Sequence, residues 1–179
     1  MTATAAPESI TVARANAPHV AVIGAGLAGL VTALRLRRAG ARVTLVTKGV
    51  GGLQLGHGTI DLLGYDPERV TNPAKGIEAF AAKHPEHPYA KIGVEAVRSG
   101  VELLSEILGE KLVNGSADEN VLVPTAVGAA RPTAFIPESM KAGVLHGDAK
   151  MVIIGVAQYK DFHASLIAQN LSRTVLPDG

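Results

Sequence analysis

"VAVIGAGLAGLVTALRLRRAGARVTLVTKG" runs from Val20 to Gly49, and its reading decides the fold. His19 to Ile23 is a short apolar run ahead of glycines, the signature of a buried parallel strand. Leu27, Leu30, Val31 and Leu34 then recur at helical spacing, with Arg35, Arg37 and Arg38 near the end, where cations favour the helix dipole. Gly40 stands at the C′ position, and Val43 to Val46 returns as a second strand. The stretch therefore predicts a compact β-α-β unit.

Between strand and helix lies Gly24-Ala25-Gly26-Leu27-Ala28-Gly29, a G-x-G-x-x-G pattern. Alone it is a weak signal; its place after a strand and at the opening of a helix gives it meaning. Gly24 permits the tight turn, Gly26 lets a pyrophosphate approach the backbone, and Gly29 lets the helix pack against the sheet. The unpaired N–H groups and positive dipole end of the helix then face the phosphate, with Ala25 inside the loop. A carboxylate normally follows, about 20 residues on, to take a ribose hydroxyl. Here Thr47 and Lys48 stand at the end of the second strand instead. A tight NAD site is disfavoured, and NADP, FAD and FMN remain open.

Composition bounds the rest. The chain has 179 residues, enough for a domain with a real core, and its 47% apolar and 18% charged content is that of a globular chain. Aromatics are only 3%, so Ala, Val, Leu and Ile must build the interior. The net charge of +1 gives no reason to expect nucleic acid. No cysteine is present, which excludes disulfides, thiolate catalysis and cysteine-bound clusters within this chain. The longest apolar stretch is too short and glycine-rich for a membrane span, and it is better used as strand, turn and helix than as a signal peptide.

Further along, the pattern divides the chain into a mobile tail over 1–17, a nucleotide-binding unit over 18–65, an insert of helix and small antiparallel sheet over 66–149, and a further β-α unit over 150–179. Asn72-Pro73 reads as N-cap and N1 of a helix that Pro85 and Pro88 end. Val94, Val97, Val101, Leu104 and Leu108 form a helical stripe closed by Gly109. Asn114-Gly115 signals a turn, and 121–125 and 133–136 are extended segments suited to an antiparallel sheet. Met151 to Ile154 reads as a core strand, and Asp161 as the cap of a helix that carries Phe162, Leu166, Ile167 and Leu171 and stops at Pro177.

Two polar clusters invite a chemical reading. "HPEHPY", His84 to Tyr89, offers two imidazoles and Glu86 but no fourth ligand, so a turn-rich linker is the better reading and no metal site is assigned. In "GLQLGHGTIDLLGY", Gly52 to Tyr65, glycines flank His57, Thr59 and Asp61, and such backbone can approach a flat ring closely. Asp61 is expected to make an Asx-type turn, and His57 reads as well as an exposed loop residue as a ring neighbour. No catalytic residue can be assigned.

Several stretches together resemble a known family: "VIGAGLAGL" (Val22–Leu30), "LVTKG" (Leu45–Gly49), "GHGTIDLLGY" (Gly56–Tyr65), "HPY" (His87–Tyr89) and "KMVIIGVAQYKDFHASLIAQNL" (Lys150–Leu171). The sequence is similar to the B subunits of anaerobic glycerol-3-phosphate dehydrogenases, within the fumarate-reductase-like flavoproteins. The resemblance implies an α/β, Rossmann-like FAD/NAD(P)-binding domain and a flavin, FMN with FAD as alternative. It carries a cofactor-binding role to Gly24, Ala25, Gly26, Gly29, Thr47 and Lys48, and a ring-facing role to Gly58 and Thr59. It implies electron transfer in glycerol 3-phosphate oxidation to dihydroxyacetone phosphate, during anaerobic respiration on glycerol, with a quinone acceptor. Its partners would be a catalytic A subunit and an iron–sulfur C subunit. Its location would be cytoplasmic, peripheral to the inner membrane through a partner. Members of that family are longer and end in a glycine-rich segment that closes over the flavin. The resemblance therefore implies an N-terminal portion, incomplete at its C-terminus. An NADP-binding reductase module and a non-catalytic interaction fragment are the competing expectations.

Overall fold

A computed structural model describes residues 16–148 and 150–176. The expected mobile tail (for 1–15) and the Pro177 stop lie outside those residues. The chain is mixed α/β and divides into two compact units, Met1–His57 and Gly58–Gly179. No helix among the described residues is long and apolar enough to cross a membrane.

The first unit holds β1 (His19–Ile23), α1 (Leu27–Arg38) and β2 (Arg42–Val46), followed by a short 3-10 turn over Leu53–Leu55. β1 and β2 pair in parallel, with Val20 opposite Val43 and Ile23 opposite Val46. The basic residues of α1 fill its last turn and its first turn has no acid, the charge order the helix dipole favours at its C-terminal end. Gly40 takes φ +87°, as a C′ glycine does. The expectation of a buried strand is corrected. Only Val22 of β1 is buried, Ile23 is 86% exposed, and α1 buries no residue. The continuous apolar run that marks a two-sided parallel strand is present, but among the described residues the sheet has two strands and little to cover it.

The second unit carries α2 (Pro73–Lys83), α3 (Pro88–Leu108), β3 (Asn114–Gly115), β4 (Val121–Pro124), β5 (Ala130–Thr133), β6 (Phe135–Ile136), a 3-10 segment over Glu138–Gly143, and α4 (Ala164–Leu171). Asn72 caps α2 by accepting from the Lys75 amide at 2.9 Å, with Pro73 at the first helical position. Pro88 does not merely end α2. It opens α3 behind His87, whose Nδ1 accepts from the Tyr89 amide at 3.2 Å. Non-helical backbone at Gly93 breaks α3. Beyond that kink Val101, Leu103 and Leu104 are buried, while Leu108, expected in the stripe, is exposed. Val101 joins Val113, Ala117, Ala134 and Phe135 in the core, with Ile60 and Leu62 packed against them.

Four further expectations are corrected. Asn114-Gly115 is not a turn but a short strand, antiparallel to β6, because its amide and carbonyl groups find partners at 135–136. The segment 121–125 does not pair with 133–136 as a whole; β4 pairs with β5, and β6 turns away to β3. Met151–Ile154 forms no strand, and Val152 and Ile154 are about four-fifths exposed. An apolar run alone does not make a strand when no neighbouring strand takes its hydrogen bonds. Asp161 does not cap α4, which begins at Ala164 behind His163 with no side-chain cap.

Candidate functional site

Gly24, Ala25, Gly26 and Gly29 come together where β1 hands over to α1. The Gly24 amide donates to the Val46 carbonyl at 2.8 Å, so the turn is tied to the end of β2. Three glycines serve three needs. Gly24 sits at φ +102°, a conformation that L side chains rarely adopt. A Cβ on Gly29 would stand 2.0 Å from the Gly24 carbonyl oxygen, so the helix can start this close only with a hydrogen there. A Cβ on Gly26 would meet no protein atom within 4 Å, and its backbone is extended at φ −73°, ψ 176°. Neither sterics nor conformation within the protein accounts for Gly26. Gly26 is the N-cap of α1, whose first-turn N–H groups have no partner in the helix and which carries no acidic side chain in that turn. The loop thus fits a phosphate-bearing group.

Sequence reasoning missed Gly51. It folds back onto the same loop, where a Cβ would lie 2.5 Å from the Ala25 carbonyl oxygen and 2.7 Å from the Gly26 nitrogen. The Gly49-Val50-Gly51-Gly52 cluster was the signal available.

Thr47 and Lys48 follow β2 directly and are exposed. The Thr47 hydroxyl is engaged with Gly49: it donates to the Gly49 carbonyl, and the Gly49 amide donates back to it at 3.1 Å. This local ST-type turn fixes the strand end, and no carboxylate stands at the position where one would take a ribose hydroxyl.

Gly58 and Thr59 belong to the second unit. Gly58 has φ +87°, and a Cβ there would touch the Pro137 ring at 3.4 Å. Next to Thr59, Ile60 is pinned by its backbone: its amide donates to Phe135 O at 3.0 Å, and its carbonyl accepts from the Ala134 and Phe135 amides at 3.2 and 3.1 Å. Asp61 does not make the expected Asx turn. Its carboxylate accepts from Arg131 Nη1 at 2.7 Å, and Arg131 Nη2 donates to Thr59 Oγ1 at 3.0 Å. A carboxylate that has a guanidinium within reach gains more there than from a backbone amide. His57 ends the first unit and is exposed.

The cluster at 84–89 is used structurally. Glu86 pairs with Lys91 at 2.7 Å, and Phe80 lies tilted against His84 and meets His87 edge-on, at 4.3 and 4.9 Å between ring centres. Tyr89 has its hydroxyl pKa raised by burial.

Residues 19–178 match the FAD binding domain family. The B subunit of the probable anaerobic glycerol-3-phosphate dehydrogenase of Halobacterium salinarum is 33% identical over 159 residues, which cover 89% of this chain and 37% of the relative. The corresponding B subunit of the anaerobic glycerol-3-phosphate dehydrogenase of Mannheimia succiniciproducens is 35% identical over 162 residues, 86% of this chain and 37% of the relative. That of Yersinia enterocolitica is 35% identical over 161 residues, 85% of this chain and 38% of the relative. No solved structure matches. The chain thus spans well under half the length of these curated relatives. With its match running from the first residue of β1 to beyond α4, the chain belongs to the FAD-binding domain family.

Proposed function

We propose that this chain belongs to a flavin-dependent oxidoreductase component acting in glycerol 3-phosphate oxidation to dihydroxyacetone phosphate, with electrons passing on to a quinone. The observation that carries the reading is the open position at Gly26, over an α1 first turn without acidic side chains, in a chain of the FAD-binding family. The names of the dehydrogenase relatives supply the substrate.

On this reading β1, α1 and β2 are the start of a Rossmann-like nucleotide-binding unit. Gly24, Ala25, Gly26 and Gly29 hold the phosphate of the flavin nucleotide, Thr47 and Lys48 lie by its ribose or phosphate, and Gly58 and Thr59 lie by the ring. The flavin, when bound, supplies the two-electron acceptor that no side chain can provide. The chain's own residues bind the phosphate, order the 47–52 turn beside it and present loop 56–65. The division into a unit over 18–65, an insert over 66–149 and a further segment over 150–179, of which α4 is the one regular element among the described residues, belongs to the same proposal. So do a catalytic A partner, an iron–sulfur C partner, and a cytoplasmic place at the inner membrane reached through them.

The family name points to FAD. FMN is the second reading, favoured by one observation: the end of β2 offers a threonine already engaged with Gly49 where an adenosine ribose would want a carboxylate. Purified chain is incubated with FAD and FMN together, freed of excess by gel filtration, and denatured. Mass analysis then identifies what is released. FAD or FMN supports the proposal and chooses between the two. Retention of NADP instead of either flavin, from a mixture containing it, would refute the flavin reading.

A further inference from the structure

Residues 63–71 form a loop of the second unit that is tied down at several points. The Val70 amide donates to Gly64 O at 2.8 Å, and Tyr65 and Arg69 bridge as an antiparallel pair. The Asn120 side-chain amide holds Leu63 O and Val70 O at 2.9 and 2.8 Å, and its backbone amide donates to Thr71 O at 2.8 Å. The Asp66 carboxylate accepts from Lys83 Nζ at 2.9 Å. Gly64 lies so near Pro132 that a Cβ there would stand 2.9 Å from its ring. A loop fixed in this way presents its side chains in one arrangement, so little ordering is needed when a ligand meets them.

The loop and residues 175–176 line a groove of about 460 Å³, the size of a small-molecule site. Arg69 stands in its wall and is half-buried. Arg98 and Arg131, in the same unit, each meet an aspartate. The Arg69 guanidinium makes no hydrogen bond or ion pair with any described residue. Its Nε is buried without a partner, so Nη1 and Nη2 are the donors a ligand can reach. Enclosing a cation without a counter-charge is unfavourable, and an anion in the groove would offset that cost. Tyr65 and Thr71 bring hydroxyls to the same wall, while Val175, 79% exposed, and Leu176 bring apolar surface. Glu68 also lines the groove, and its carboxylate repels an anion in proportion to the anion's charge. That favours a singly charged, planar carboxylate over a phosphate, and a carboxylate fits a guanidinium fork with two parallel bonds. We infer that this groove binds a small monocarboxylate with an apolar body, its carboxylate on Arg69 and its body against Val175 and Leu176. The inference lies within the second unit and does not rest on the flavin reading.

The test titrates the full chain with benzoate and follows the backbone amides by NMR. Benzyl alcohol, which lacks the charge, and inorganic phosphate, which carries more of it, are titrated beside it. Benzoate should move the amides within 65–71 and 175–176 saturably and leave those of α1 in place, and benzyl alcohol should move none. Arg69→Gln should bind benzoate about tenfold more weakly, the loss of a charge-assisted fork. Arg69→Lys keeps the charge without the fork and should fall between that variant and the parent. Glu68→Gln should tighten benzoate by about two- to fivefold, because the repulsion is gone. If Arg69→Gln does not fold, Arg69→Lys and Glu68→Gln still decide. Parental affinity in the Arg69 variants, no tightening in Glu68→Gln, or phosphate bound as tightly as benzoate overturns the inference. So does a parent chain whose amides give no saturable shift with benzoate. Each of these results leaves the proposed function standing.

Discussion

Gly26 and Gly29 lie three residues apart in one motif, and the structure gives them opposite sensitivities. At Gly29 an added Cβ would stand 2.0 Å from the backbone oxygen of Gly24. The obstacle is backbone, so β1 and α1 must separate. Overpacking of this kind costs about 1–3 kcal/mol, with a backbone contact this short at the upper end. Replacing a helical glycine by alanine returns about 1 kcal/mol. Gly29→Ala should therefore destabilise by about 2 kcal/mol. At Gly26 the added atoms of valine enter open space from an ordinary extended conformation. The loss is only that of a glycine N-cap, about 1 kcal/mol or less. Urea unfolding followed by circular dichroism should thus separate the two, while a FAD titration should find binding abolished in Gly26→Val. The reasoning is refuted if Gly26→Val is as destabilised as Gly29→Ala, or if it binds FAD like the parent.

The amide of Asn120 donates to Leu63 O at 2.9 Å and Val70 O at 2.8 Å, joining two turns of the 63–70 loop. Asn120→Ala should cost about 1–3 kcal/mol in urea unfolding, because both carbonyls lose their donor. Asn72→Ala should cost about 1 kcal/mol through the lost cap on α2, with reduced helical signal on thermal melting. The bidentate bond from Arg98 holds the Asp118 carboxyl below its ordinary pKa. A depressed carboxylate contributes stability above its unfolded pKa and loses it as pH falls through the lower folded value. Thermal melts in falling pH should therefore show a drop in midpoint beginning at the ordinary carboxylate range. That drop should be smaller in Arg98→Gln, and an identical profile in both chains would contradict the assignment.

Much of the first unit was legible because local signals agree there: apolar strand, glycine turn, helix with a basic end, second strand. The helix start at Asn72-Pro73 and the closure at Gly109 were legible for the same reason. Burial was not legible. Ile23 and Ile154 look like core residues by type, but exposure depends on what packs against them. The turn role of Gly24 and the packing role of Gly29 could be assigned from motif spacing. That Gly51 approaches Ala25 could not, since the contact depends on how the loop returns. Asp61 shows the same limit: its partner Arg131 lies on β5, far away in sequence, and a local turn was the nearest satisfaction the sequence offered. The alternation of Ile60 and Leu62 with Thr59 and Asp61 carried the information that the latter two share a face.

The central claim is that the glycine turn before α1 holds a flavin nucleotide. The most direct test incubates purified parent chain and Gly26→Val with FAD, passes each over a desalting column, and measures bound flavin by absorbance. The account predicts near-equimolar flavin on the parent and little on the variant. Equal flavin on both, or none on the parent, would contradict it.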